Sequence, residues 1–331
     1  MTRTPRVILL ILTWNRRDDV LRCVASLSRL TYPNCLPVVI DNASVDSTVA
    51  ALRAGYPDLT IIQNTHNLGY AGGNNVGIRW ALEHGADYVL IINNDTEVTP
   101  DMVTELVRVA ASDPTIGVVG CRNILMDDPM HLWGAYGELT YGPFVVRTAG
   151  EGMPDGPQWQ VVKDVDWVIG NGYLWRRAAL ERVGLLDESF FAYHEDVDWC
   201  LRARAAGVRV VYAGTAAIVH KGAVHAAPGQ GHQVLTWYML GRNGVVLVHR
   251  YGRWQQQVRF ALLSTAALTA RLVRALVLRL TPWSPADRAR GAMLWAMERA
   301  FTRGLLDALH NRPIPFAELG VSRSTPPGQA S

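Results

Sequence analysis

None of the four cysteines, Cys23, Cys35, Cys121 and Cys200, forms a CxxC pair with another. The spacing therefore indicates neither a thiolate zinc site nor a disulfide framework, and reduced thiols of a cytoplasmic protein are expected. A GxGxxG fingerprint is also missing. Gly69, Gly72, Gly73 and Gly77 have the wrong spacing and follow the third expected strand, not the first, which argues against a nicotinamide dinucleotide. No small-residue cleavage site follows the apolar run Val7–Leu12, and Asn15-Arg16-Arg17-Asp18-Asp19 comes next. That run is read as a first strand, not a leader. Lysine is absent from residues 241–331, and the basic residues there sit in apolar sequence without an aromatic-basic platform. No nucleic-acid partner is expected.

What is present is ample core. Of 331 residues, 49% are apolar, which excludes global disorder and allows one large domain or two modest ones. The net charge of +3 is unevenly spread. Residues 1–240 carry 19 Lys+Arg against 25 Asp+Glu, or −6, and residues 241–331 carry 13 Arg against 4 acids, or +9. This is the pattern of a mildly acidic body with a basic tail suited to an anionic surface.

Strands are expected at Val7–Thr13, Leu36–Ile40, Leu59–Gln63, Tyr88–Ile92 and Gly117–Cys121, with helices between them. The alternation predicts an α/β fold, a doubly wound and mostly parallel sheet with right-handed crossovers. Residues 123–164 lose periodicity and read as a long loop-rich insertion. Further strands are expected at Val165–Ile169, Val208–Tyr212 and Ala217–His220, and helices at Arg176–Val183 and from Glu195 to Ala206. Apolar helical segments bearing arginine follow at 245–248, 260–280 and 286–309. The division expected is 1–225, a helical region at 226–321, and a disordered tail at 322–331.

Three of these strands end in polar loops, near Asn15, Asp41 and Asp95, and such strand ends bind ligands in open α/β sheets. The stretch Tyr88–Val98 changes from a buried strand to Asn93-Asn94-Asp95-Thr96. Asp95 could give a hard oxygen to Mg²⁺ or Mn²⁺ that also holds a diphosphate; alternatively this is a turn capping the next helix. Glu195 and Asp196 open a helix after Phe190, Phe191, Tyr193 and His194. The helix dipole alone explains acids there, yet the same dipole would keep Asp196 ionised as a general base. His220 ends a strand and reads either as a structural histidine or as a second metal ligand with Asp95.

Taken together, Thr13–Arg16 (TWNR), Val39–Thr48 (VIDNASVDST), Asn67–Ala81 (NLGYAGGNNVGIRWA), Ile91–Val98 (IINNDTEV) and Gly170–Gly207 resemble family 2 glycosyltransferases of the GT-A fold, in their bacterial rhamnosyltransferase-like branch. The resemblance covers roughly residues 5–225. It implies a nucleotide-sugar donor site lined by Thr13, Asn15, Asp41, Asn67, Gly69, Gly72, Asn74, Asn94 and Asp95. It implies a divalent cation held by Asp95 and His220, with one carboxylate where the family's DXD-type motif stands. Asp196 matches the catalytic base, while Trp167, Asn171, Gly172 and Glu195 would border the acceptor.

The activity so implied is inverting transfer of a sugar, rhamnose from dTDP-rhamnose first, to a growing cell-surface glycan that is free or lipid-linked. UDP-galactofuranose, a UDP-hexose and GDP-mannose are alternative donors. A catalytically silent sugar-nucleotide-binding module of a glycan assembly complex is the alternative from another class. The segment Phe260–Leu280 is long enough to span a bilayer, but Arg271, Arg274 and Arg279 are costly in lipid. A helix in the membrane interface, with surface contact through 245–310 on the inner face of the plasma membrane, is weighed against a helical subdomain packed on the sheet or on a second copy of the chain.

Overall fold

The computed structural model describes residues 3–221, 230–280, 284–319 and 321. Its first half alternates as the sequence leads one to expect: β1 (Val7–Thr13), α1 (Arg17–Ser26), β2 (Cys35–Asp41), α2 (Thr48–Gly55), β3 (Thr60–Gln63), α3 (Gly69–Glu83), β4 (Tyr88–Asn93), a short β5 (Thr96–Val98), α4 (Met102–Ser112) and β6 (Ile116–Leu125). Strands β7 (Leu132–Gly134), β8 (Tyr136–Leu139), β9 (Val146–Ala149), β10 (Val162–Asp164) and β11 (Tyr173–Arg176) follow. Then come α5 (Arg177–Val183), α6 (Glu195–Ala205), β12 (Arg209–His220), α7 (Gln230–Tyr251), α8 (Trp254–Leu280) and α9 (Pro285–Leu309).

The main sheet runs β10-β12-β6-β11-β4-β1-β2-β3, with β5 on β12 and β7 on β6. β1 is apolar at every position before Thr13 because both sheet faces are covered. Ile8 and Leu10 enter one buried cluster, and Val7, Leu9 and Ile11 enter the other. The parallel register pairs Thr13 with Asp41, Asp41 with Gln63 and Leu12 with Asn93, so these strand ends share one edge.

The sheet is mostly parallel, as expected, with β11 inserted antiparallel between β4 and β6. Several other expectations are corrected. Val165–Ile169 is not a strand. It makes one isolated bridge, Gly137 to Trp167, and a side chain on Gly137 would collide with the Trp167 indole. Val208–Tyr212 and Ala217–His220 are not separate, since β12 runs through both with a register shift between Ala213 and Ala217. Gly214 lies there, where any Cβ would strike the Trp159 carbonyl. The insertion at 123–164 holds short strands as well as loops. The glycine-rich stretch opens a helix, as expected; Gly73 and Gly77 let α3 lie flat on Leu12 of β1 and Ile40 of β2. The tail expected at 322–331 lies outside the described residues.

The carboxyl-terminal helices are longer than the apolar patches suggested. Gly241 of α7 and Gly304 of α9 are points of close approach, where a Cβ would come within 2.3 Å of the Phe301 carbonyl and 2.1 Å of the Tyr238 carbonyl. Arg271 of α8 stands 2.9 Å from Glu298 of α9, beneath the rings of Phe144, Trp237 and Phe301. Phe191, Tyr238, Met239, Ala300 and Leu319 form a third buried cluster, which joins α7 and α9 to the segment before α6.

Candidate active site

At the carboxyl edge of the sheet the polar strand ends brace one another. The Asn94 amide donates to Thr13 Oγ1 at 3.0 Å. Asn15, in left-handed backbone (φ 51°), donates its N–H to Ser44 Oγ and accepts from the Val45 N–H, both at 2.8 Å. The Asp41 carboxylate accepts from the Ser44 N–H at 3.2 Å. Burial raises its pKa, offset only in part by the Ser44 hydrogen bonds. These bonds close the loops after β1 and β2 into one wall.

Asn67, Gly69, Gly72 and Asn74 lie on the neighbouring side. Asn67 Oδ1 accepts from Asn42 and from the Gly69 N–H, each at 2.8 Å. Gly69 (φ 75°) has no room for a Cβ beside Phe191, and Gly72 lies against Leu68 with the Glu188 carboxylate beyond. Asn74 donates to the Tyr70 carbonyl, leaving its buried Oδ1 without a partner. These four residues brace α3 against β2 and against the segment leading to α6.

Asp95 and His220 come from elements 125 positions apart, yet antiparallel pairing of β5 with β12 brings Asp95 Oδ1 within 3.1 Å of His220 Nε2. Burial would raise the Asp95 carboxyl, but the His220 imidazole holds it below the ordinary carboxylate range. His220 is buried, meets Trp133 edge-on, and its Nδ1 has no partner. A carboxylate oxygen and an imidazole nitrogen converging this closely fit a divalent cation. Among the described residues no group of three or more His, Cys, Asp or Glu side chains could hold one. The protein would therefore give two donors and leave the remaining positions to ligand oxygens and water.

The third constellation is α6. Asp196 Oδ2 accepts from the Gly170 N–H and Oδ1 from its neighbour Val197, both at 2.8 Å. Burial pushes its pKa up to about 6, against the pull of those amides. Glu195 beside it is buried with Oε2 unpartnered; burial and then the Asp196 charge push its carboxyl far up. His194 is buried and held neutral, its pKa lowered to about 4 by burial. The chain reaches α6 under backbone strain: Phe191, Tyr193 and His194 all have positive φ (59°, 67° and 71°).

Trp167, Asn171 and Gly172 flank this region. The Trp167 indole is buried against Gly137, and its N–H has no partner. Asn171 Oδ1 accepts from the Asn93 N–H (2.9 Å) and Thr96 Oγ1 (3.1 Å), joining the turn before β11 to the Asp95 loop. Gly172 (φ 75°) lies against Cys121, where no Cβ fits.

Sequence reasoning missed three residues that hold the site. Asn42 makes four side-chain hydrogen bonds, to Asn67, Gly69, Asn64 and Leu68. Tyr70 donates to the Gly170 carbonyl, next to the amide that holds Asp196. Its phenol is raised by burial and further by Glu195, Asp196 and Asp95, so both acidic centres flank this one ring. Both residues fall inside motifs already singled out. Asn243 of α7 had no local signal. Its buried amide reaches the carbonyls of Phe190, Ala192 and Tyr193 at 3.0, 2.9 and 2.8 Å and so holds the strained approach to Asp196.

A mostly parallel sheet with one antiparallel insertion, a carboxylate and histidine at its ligand edge, and a buried acid across from them define a GT-A glycosyltransferase. The chain belongs to the family 2 glycosyltransferases: the model for glycosyl transferase family group 2 matches residues 88–301, and that for glycosyl transferase family 2 matches residues 8–164. It is 27% identical over 287 residues to an N-acetylglucosaminyl-diphospho-decaprenol L-rhamnosyltransferase of Mycobacterium tuberculosis, covering 79% of this chain and 90% of that protein. It is 25% identical over 201 residues to the dTDP-rhamnosyl transferase RfbF of Shigella flexneri, covering 60% and 64%. In structure it is similar to the mannosyltransferase PcManGT of Pyrobaculum calidifontis, solved with GDP-Man and Mn²⁺, with a TM-score of 0.57 at 19% identity, covering 94% and 88% of the two chains.

Proposed function

We propose that the chain moves rhamnose from dTDP-rhamnose onto a hydroxyl of a lipid-linked, growing cell-surface glycan, with inversion at the anomeric carbon. The observation that carries this reading is the 3.1 Å convergence of Asp95 and His220 on the sheet edge that Thr13 and Asp41 share. Thr13, Asn15, Asp41 and Asn94 face the nucleotide in this reading, and Asn67, Gly69, Gly72 and Asn74 shape the wall behind the sugar. A divalent cation, Mg²⁺ or Mn²⁺, held by Asp95 and His220 would offset charge on the departing diphosphate. Asp196 takes the proton from the acceptor hydroxyl as that oxygen attacks the anomeric carbon; the carbon–oxygen bond to the diphosphate breaks in the same displacement. Trp167, Asn171, Gly172 and Glu195 border the acceptor.

Rhamnose is favoured because two of the relatives described above are rhamnosyltransferases by name. UDP-galactofuranose is the second reading, because the chain is also 28% identical over 207 residues to the galactofuranosyltransferase GlfT1 of Mycobacterium tuberculosis. The protein works at the inner face of the plasma membrane in this reading, with residues 226–321 as its membrane-side domain. Trp254–Leu280 is long and apolar enough to cross a membrane and is only 11% buried in its most apolar stretch. Arg259, Arg274 and Arg279 are among its exposed residues, which fits a helix lying in the interface.

A thermal-shift screen of dTDP-rhamnose against UDP-galactofuranose, UDP-hexoses and GDP-mannose, with and without Mn²⁺, tests the donor. A ligand that binds only the native state raises Tm with occupancy. A shift with dTDP-rhamnose that needs the metal is expected. A shift with another sugar nucleotide alone would replace the donor, and no shift with any of them would remove the donor site.

A further inference from the structure

Away from the sheet edge, α8, α9 and residues 312–315 line an open cavity of about 670 Å³. Its walls combine two chemistries. Leu272 of α8, Trp295 and Leu306 of α9, and the Pro313-Ile314-Pro315 run are apolar, whereas Arg299, Arg303 and Arg312 bring guanidinium groups to the same space. The helix period explains the arrangement, because positions 295, 299, 302, 303 and 306 fall on one face of α9.

The charges do not cancel inside the cavity. Asp307 is its acid, 3.5 Å from Arg303 and 3.7 Å from Arg312. Arg303 is further held by Glu318 at 2.5 Å. Arg299 is exposed and makes no ion pair among the described residues. On the same two helices, Val273, Leu276 and Leu280 of α8 and Leu309 of α9 are 40–69% exposed. An uncompensated arginine among apolar walls, on helices that carry exposed apolar side chains, suits a ligand with a phosphate at one end and a hydrocarbon at the other.

We infer that this cavity binds the diphosphate end and first carbons of the lipid that carries the acceptor. The inference rests on the lipid-linked acceptor proposed above and adds the place where that lipid is held. Two observations favour an acceptor lipid over a bulk headgroup. The volume lies within the range of small-molecule sites. The wall at 312–315 also runs directly into Phe316, which packs on Phe191 at 4.7 Å between ring centroids, in the strained segment that precedes Asp196. A ligand seated there touches the structural unit that presents the base.

The test uses the full chain and geranyl diphosphate as the soluble probe, titrated calorimetrically with the donor site saturated by nucleoside diphosphate and Mn²⁺. One molecule should bind, more tightly than inorganic pyrophosphate or geraniol, and Arg299→Gln and Leu306→Asn should each weaken binding about tenfold, the loss of roughly one charge-assisted hydrogen bond or one buried apolar contact. Equal affinity for pyrophosphate, or unchanged affinity in both variants, would overturn the assignment. So would full competition by phosphatidylglycerol vesicles, which would give the cavity to bulk lipid. Sugar-nucleotide binding is measured on the same samples. Its absence beside intact geranyl diphosphate binding would sink the donor reading while leaving this cavity assigned.

Discussion

Asp196 is pulled two ways: burial raises its carboxyl to about 6, while the amides of Gly170 and Val197 stabilise the anion. A base must be ionised to accept a proton, so transfer should be full above about pH 6 and fall about tenfold per unit below it. A pH profile of kcat/KM for the acceptor checks this, and a flat profile down to pH 4.5 would contradict it. The sign for stability is opposite. A carboxyl raised in the folded state contributes stability at low pH that is lost as pH rises through about 6, so an ionised Asp196 costs the fold stability at neutral pH. Asp95 is the converse case, held low by His220. Asp95→Ala should abolish the metal-dependent part of the donor Tm shift, and a shift equal to that of the native chain would remove Asp95 from the site. Asp95, Asp196 and His220 were legible as single residues because each ends or begins an element. The Asp95–His220 pairing was open to the residues only as one of two alternatives and otherwise implied by the resemblance, since the contact depends on a β5–β12 register that no local pattern encodes.

The elements were legible in proportion to how local their cause is. β1 and β4 are short apolar runs ending in polar residues, and they stand where periodicity puts them. β11 was not foreseen because a central antiparallel strand of four residues is fixed by its neighbours β4 and β6. Val165–Ile169 has strand-like composition, but the Trp167 ring fits beneath Gly137 and the segment keeps one bridge. The glycine-rich stretch lacks a dinucleotide fingerprint and opens α3, and its glycines let that helix approach β1 and β2. The least legible link is the one from α7 to the segment before Asp196: Asn243 reaches back 50 to 53 positions to three carbonyls. Backbone strain of this kind costs on the order of 1–3 kcal/mol per residue and persists only where the surroundings hold it. Asn243→Ala should therefore lower kcat about 10- to 100-fold while the donor Kd stays unchanged. Equal losses in both, or neither, would show that Asn243 does not position the base.

For the whole molecule, composition marked the change in charge after residue 240 but not the geometry of the helices that carry it. The excess of arginine after residue 240 lies on helices whose inner faces pack on the catalytic unit and whose outer face, on α8, stays apolar and exposed. Vesicles rich in phosphatidylglycerol should sediment the protein, neutral vesicles far less, and Leu262→Asp with Leu276→Asp should release it. Sedimentation indifferent to lipid charge and to both substitutions would return α8 to a protein-facing role. The central claim is that the Asp95–His220 edge and the Asp196 carboxylate together transfer a sugar from a nucleotide. The most direct measurement is single-turnover transfer from dTDP-rhamnose to a lipid-linked acceptor, native chain against Asp196→Asn, with donor affinity determined on both. Transfer with inversion in the native chain, and a loss of a thousandfold or more in the variant at unchanged donor affinity, is predicted. Transfer by Asp196→Asn at the native rate would contradict it.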